Sequence, residues 1–171
     1  MSRQKKIIAG AVALALAGTF FLARPFVPSE PSSMVEIIPL PGPLPRQFMA
    51  MARFDKPLDS ASVWESLVYR IQGRDGSYGP PLSISAAGRL VLKNNNRTIF
   101  FMVHPHNLPS VGVRIRVETG GVVGKNGLPL GELGLEYLIT DASPLPLYEA
   151  LKEKMSVADW LALWNAWMDT T

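Results

Sequence analysis

A chain of 171 residues, 47% hydrophobic and 18% charged, has room for one ordinary domain with extensions. Its net charge of +3, part of it from Arg3, Lys5 and Lys6, leaves the remainder near neutral and excludes an electrostatic footprint for nucleic acid. The absence of cysteine excludes disulfides, thiolate metal sites, a cysteine nucleophile and a lipidated cysteine, so the domain is held by its core alone.

Met1 to Lys6 is basic, and Ile7 to Ala23 carries no charge before Arg24 and Pro25 end it. Ile7, Ile8, Val12, Leu14, Leu16, Phe20, Phe21 and Leu22 make a segment that would span roughly 25 Å as a helix, close to the ~30 Å hydrocarbon core of a bilayer. Residues 1–23 therefore read as a signal anchor, a transmembrane helix. The basic residues ahead of it set the N-terminus in the cytoplasm and the rest outside, as a single-pass protein of the inner membrane with a periplasmic domain. A second reading is a cleaved signal peptide with Ala15-Leu16-Ala17 as the small-x-small site. Against it, the apolar run continues past that site through Phe20, Phe21 and Leu22.

Residues 24–47 hold Pro25, Pro28, Pro31, Pro39, Pro41, Pro43 and Pro45, which predict a stiff, extended periplasmic linker. Within it Val35-Glu36-Ile37-Ile38 is a short β-like run, a candidate first edge strand from residue 35.

From Phe48 the pattern becomes strands and turns. Phe48 to Phe54 is a strand, Asp55 to Asp59 a turn, and Ser60 to Trp64 a short helical turn with Val63 and Trp64 expected to plug the core. Val68 to Ile71 and the alternating Leu82 to Ser85 are strands on either side of a Gly/Pro-punctuated loop. Arg89 to Leu92 turns at Asn94-Asn95-Asn96 into Thr98 to Val103, a continuous apolar run typical of a strand covered on both faces. Val111 to Val117 alternates strictly, with Arg114 and Arg116 opposite Val113, Ile115 and Val117. Leu133 to Ile139 is the last strand. Strands at this spacing predict an all-β antiparallel sandwich over 48–140.

Phe54-Asp55-Lys56-Pro57-Leu58-Asp59-Ser60-Ala61-Ser62-Val63 resembles the F-x-x-P-hydrophobic-D-x-x-S-V signature of one class of bacterial immunoglobulin-like domains. Arg97 to Leu130 is similar to the same family's C-terminal half, with Gly121, Asn126, Gly127, Pro129 and Leu130 at the expected places of its glycine turn. The resemblance spans roughly Val35 to Ile139. It implies an immunoglobulin-like sandwich of the kind found in exported, surface and S-layer-associated proteins, where such domains are mostly spacers, adhesive modules or accessory subunits. The chain departs from the family at Gly112-Val113, where a tyrosine is common. It departs again at Gly124, where an aspartate is common and on which a cation site would depend.

Residues 141–171 form a helical extension. Leu147 to Met155 can be a short helix, and Ser156-Val157-Ala158-Asp159 resembles a capping box at the start of a second. On that second helix Trp160, Trp164, Trp167 and Met168 share a face, with Leu161 beside them. The face packs on the sandwich, docks in the groove of a partner protein as tryptophan-rich terminal helices can, or lies at a membrane interface, against which stands the lack of a basic polar face.

No residue pattern points to catalysis, a cofactor or a metal. His104-Pro105-His106 lacks an apparent third ligand, Asp55, Asp59 and Asp75 sit in turns, and no phosphate loop appears. Arg97, Arg114 and Arg116 form at most a small basic stripe. The expectation is a non-enzymatic, membrane-anchored accessory subunit that docks on a larger membrane or envelope complex. The alternative is a secreted or surface-exposed adhesive or spacer module with a cleaved signal peptide.

Overall fold

The structure, a computed structural model, describes residues 30–131 and 133–168, with the side chains of the last helix described at 157–161 and 165. The segment with Ile7, Ile8, Val12, Leu14, Leu16, Phe20, Phe21 and Leu22 lies outside the described residues. Among the described residues no helix is long and apolar enough to cross a membrane.

The strands are β1 (Met34–Ile38), β2 (Gly42–Pro45), β3 (Ala50–Phe54), β4 (Val68–Ile71), β5 (Leu82–Ser83), β6 (Gly88–Lys93), β7 (Thr98–Val103), β8 (Arg114–Glu118) and β9 (Gly134–Thr140). The helices are α1 (Ser60–Ser66), the single turn α2 (Ile84–Ala87), α3 (Leu145–Lys152) and α4 (Val157–Met168). The strands make two sheets, a four-stranded one in the order β1-β3-β7-β6 and a five-stranded one in the order β2-β9-β8-β4-β5. Every pairing is antiparallel except that of β2 with β9, which is parallel. The all-antiparallel expectation fails there because β2 comes from the stretch expected as linker. The proline-rich segment places β1 in one sheet and β2 at the edge of the other. Pro43 and Pro45 are tolerated at that edge, where a missing N–H breaks no inner ladder.

Ile37, Ile99, Phe101 and Leu90 on one sheet and Tyr69, Ile115, Val117, Tyr137 and Ile139 on the other belong to a single hydrophobic cluster. All six residues of β7 are buried, as its apolar run predicts. The register puts Met51, Phe100 and Val91 on one face and Ala50, Phe101 and Leu90 on the other. Glu36, Arg53 and Lys93 alternate onto the Met51–Phe100 face, which makes it the outer one. That outer face would be an exposed apolar patch without a cover.

Both stretches that carry the family resemblance are explained by one junction. Phe54, Leu58 and Val63 are core residues. Asp59 caps α1 by accepting from the Ser62 N–H at 2.8 Å, and its own N–H donates to the Val123 carbonyl at 3.0 Å. The Val123 N–H donates to Ser62 Oγ, the Lys125 N–H to the Pro57 carbonyl, and Leu58 bridges Gly124. The signature thus fastens the β3–β4 crossing to the glycine-rich hairpin, which buries Val122 and Leu130.

Three local expectations are corrected. Trp64 does not plug the core: it is 44% exposed, because α1 turns only Val63 inward. Leu82 to Ser85 is a strand only through Ser83, whose side chain accepts from the Ala86 N–H and opens α2. The strand expected from Val111 begins at Arg114, since Gly112 adopts φ 89 in a turn.

Candidate functional site

Two surfaces combine chemistry with accessibility. The first is the C-terminal extension. Pro146 falls in the first turn of α3, where a missing N–H costs nothing. Leu147, Tyr148 and Leu151 are buried in the common core, and the Tyr148 hydroxyl reaches the Gln47 carbonyl at 3.5 Å. Lys154 pairs with Glu36 of β1 at 2.9 Å, and Lys93 of β6 pairs with Asp159 of α4. These contacts lay the extension across the outer face of the four-stranded sheet and cover its apolar patch.

The capping box is present: Ser156 Oγ accepts from the Asp159 N–H at 3.1 Å and bonds the Asp159 carboxylate at 2.9 Å. On α4 the predicted partner residues separate. Trp160 packs on the core, edge-on to Tyr148 at 5.9 Å between ring centroids. Leu161 is 50% exposed and Val157, one turn earlier, 73% exposed. The side chains of Trp164, Trp167 and Met168 lie outside the described ones. Hydrogen bonds from Lys154 to Glu36 and from Lys93 to Asp159 hold both carboxyls below the usual carboxylate range.

The second surface lies on the outer face of the five-stranded sheet. Alternation sends Arg114, Arg116 and Glu118 of β8 outward. The register sets Arg70 of β4 opposite Arg116 on one side and Glu136 of β9 on the other. Arg97, expected in the same stripe, sits instead in the β6–β7 turn of the other sheet, and Arg70 takes its place. Nothing in the sequence pairs Arg70 with Arg116, because cross-strand register is a long-range property.

The β4–β5 loop folds back through a bridge between Gln72 and Tyr78. This brings the Tyr78 ring to 6.0 Å from the Arg116 guanidinium carbon. Arg70 is fixed, Nε to Glu118 at 2.9 Å and one Nη to the Gly79 carbonyl at 3.0 Å. Arg116 is not: its Nε is buried with no hydrogen-bond partner among the described residues, and the Glu118 carboxylate stands 3.6 Å away, beyond hydrogen-bond reach. A buried donor left unpaired costs about 1–3 kcal/mol. The Tyr78 hydroxyl lies toward Glu136 without reaching hydrogen-bond geometry, and burial, then the Glu136 charge, push its phenol up. Arg70, Tyr78, Arg116, Glu118, Gly120 and Gly134 line a cavity of about 350 Å³.

The histidine pair is stacked, 5.4 Å between centroids, and burial foremost lowers the His104 pKa. No group of three metal-ligating side chains occurs among the described residues.

No family model matches the chain. No curated protein matches it either. Among solved structures it is similar to surface layer protein SbsC, domains 1–6, with 12% identity and a TM-score of 0.44 over 84% of this chain and 17% of that one. It is likewise similar to the S-layer protein rSbsC(31-844), with 12% identity and a TM-score of 0.44, over 84% of this chain and 18% of that one. The N-terminal part of bacterial SbsC gives the same identity and TM-score over 84% of this chain and 30% of that one. The chain spans less than a third of each of those S-layer chains.

Proposed function

We propose that this chain is a non-enzymatic, membrane-anchored periplasmic protein whose immunoglobulin-like domain serves as an accessory or structural subunit of a larger membrane or envelope complex. The strand order supports the immunoglobulin-like part. Taking β1, β3, β6 and β7 as A, B, D and E, one sheet reads A-B-E-D. The other reads C′-C-F-G from β5, β4, β8 and β9, with β2 as a detached second half of the first strand. The hydroxyl of buried Tyr69 on β4 supports it further. It donates to the Asn107 carbonyl at 2.8 Å and so ties down the β7–β8 crossing, where the family's tyrosine is replaced by Gly112-Val113.

The docking role rests on one observation. The extension is divided: α3 and Trp160 are spent on the domain's own core, while Val157 and Leu161 of α4 face outward, one turn apart. Such a helix is anchored on its domain and offers an apolar edge to a second protein.

The test is co-purification of the tagged full-length chain from membranes, with mass measurement of the native protein. A chain starting at or near Ser2 and a defined partner set, lost in Leu161→Ala/Trp164→Ala/Trp167→Ala with circular dichroism unchanged, is expected. An unchanged partner set in the folded variant sinks the docking role. A mature chain starting near Gly18 sinks the anchor and favours the secreted or surface module.

A further inference from the structure

We propose that the cleft on the outer face of the five-stranded sheet is a binding site for a small organic monocarboxylate, received by the guanidinium of Arg116. This is independent of the docking helix, which lies on the other sheet.

Three features make the cleft a built site and not a solvated row of charges. First, Gly134 on β9 makes room for Arg116. A Cβ at 134 would stand 2.4 Å from both its Nε and one Nη, so only glycine lets the guanidinium lie against the strand. Second, Glu118 gives one carboxylate oxygen to a hydrogen bond from Arg70, at 2.9 Å, and holds Arg116 with the other only as an ion pair at 3.6 Å, beyond hydrogen-bond reach. On this face three guanidiniums, of Arg70, Arg114 and Arg116, meet two carboxylates, of Glu118 and Glu136, which leaves one cation in surplus, and Arg116 is the one whose buried Nε has no hydrogen-bond partner among the described residues. Third, the loop carries Tyr78 back over Arg116 and so gives the cleft an aromatic wall.

The charge balance selects the ligand. One surplus cation suits a monoanion. A dianion such as hydrogen phosphate would also face the carboxylates of Glu118 and Glu136, on either side of Arg116. The planar fork of a guanidinium matches a carboxylate in two parallel hydrogen bonds. A cavity of about 350 Å³ with a tyrosine wall holds a flat organic body and not merely an ion.

Isothermal titration of the full-length chain at neutral pH and low salt, with sodium benzoate, sodium acetate and sodium phosphate as probes, tests the proposal. Saturable one-to-one binding of benzoate is expected, with acetate weaker and phosphate weakest. Arg116→Gln and Gly134→Ala each weaken benzoate at least tenfold, and Arg97→Gln, on the other sheet, leaves it unchanged. Gly134→Ala keeps every charge and displaces only the guanidinium, so it separates placement from net charge. The proposal is overturned if wild type shows no saturable benzoate binding or if phosphate binds tighter than benzoate. Undiminished binding in either folded variant overturns it as well.

Discussion

Tyr137 carries its hydroxyl into the interior of the sandwich, where it donates to the Pro39 carbonyl at 3.2 Å. Burial pushes its phenol up to about 12, and burial raises Tyr69 and Tyr148 in the same direction. In the unfolded chain these phenols ionise near 10. The folded form therefore holds protons that the unfolded form has lost, and stability present in full below pH 10 declines as the pH rises toward 12. Denaturant melts at pH 8 and pH 11 are expected to show a marked loss at the higher pH. Tyr137→Phe lowers stability at pH 8 by about 1 kcal/mol, through the lost hydrogen bond, and reduces the alkaline loss. Equal wild-type stability at both pH values would contradict this account. Gly88 is a second residue-scale determinant. An added Cβ there would meet the Met102 carbonyl oxygen on the neighbouring strand at 1.9 Å, a backbone atom that cannot swing aside. Gly88→Ala is expected to cost about 3 kcal/mol, at the upper end of overpacking, read as the shift in a urea midpoint.

Among the elements, the C-terminal helices depend most on charge. Glu36 and Asp159 both titrate below their ordinary values of 4.5 and 3.8, chiefly through hydrogen bonds from Lys154 and Lys93. A depressed carboxyl contributes stability that is present above its unfolded value and lost as the pH falls through the folded one. The clasp is therefore intact at neutral pH and loosens below about pH 4, with α4 the first to leave because its described apolar contact is Trp160. Tryptophan fluorescence followed from pH 7 to pH 2 should report this before β-sheet circular dichroism changes. Lys93→Gln/Lys154→Gln should show the acid-type fluorescence already at pH 7. Both pairs are partly exposed, so salt should mimic the substitution in part. Coincident loss of both signals in wild type would argue that α4 is not separately clasped.

Taken as a whole, the molecule is a sandwich with a helical cover on one sheet and an open polar cleft on the other. Leu151 is fully buried in the same cluster as the strands, so α3 belongs to the core and is not an appended tail. Leu151→Ala is expected to cost about 2–5 kcal/mol and to lower a single cooperative transition of sheets and helix together. A separate early transition for α3, with the sheets unaffected, would contradict this assignment. The cover also explains the composition of β7, whose outward Phe100 and Met102 would otherwise face water.

Much of this architecture is legible in the sequence. Alternation at Arg114 to Val117 fixes which side chains face inward, because a pleated strand has period two. The apolar run Thr98 to Val103 calls for a second cover, and Ser156 with Asp159 marks a helix start. These are local matters, decided within a few residues. The tertiary structure alone decided the rest, by bringing distant segments together. It divided the proline-rich stretch between two sheets and turned Trp64 outward. It also set Arg70 beside Arg116 over a glycine eighteen positions further along the chain. Strand pairing joins residues far apart in sequence through backbone hydrogen bonds that every residue offers alike. The sequence therefore marks the strands and their faces, and only the folded chain reveals their neighbours.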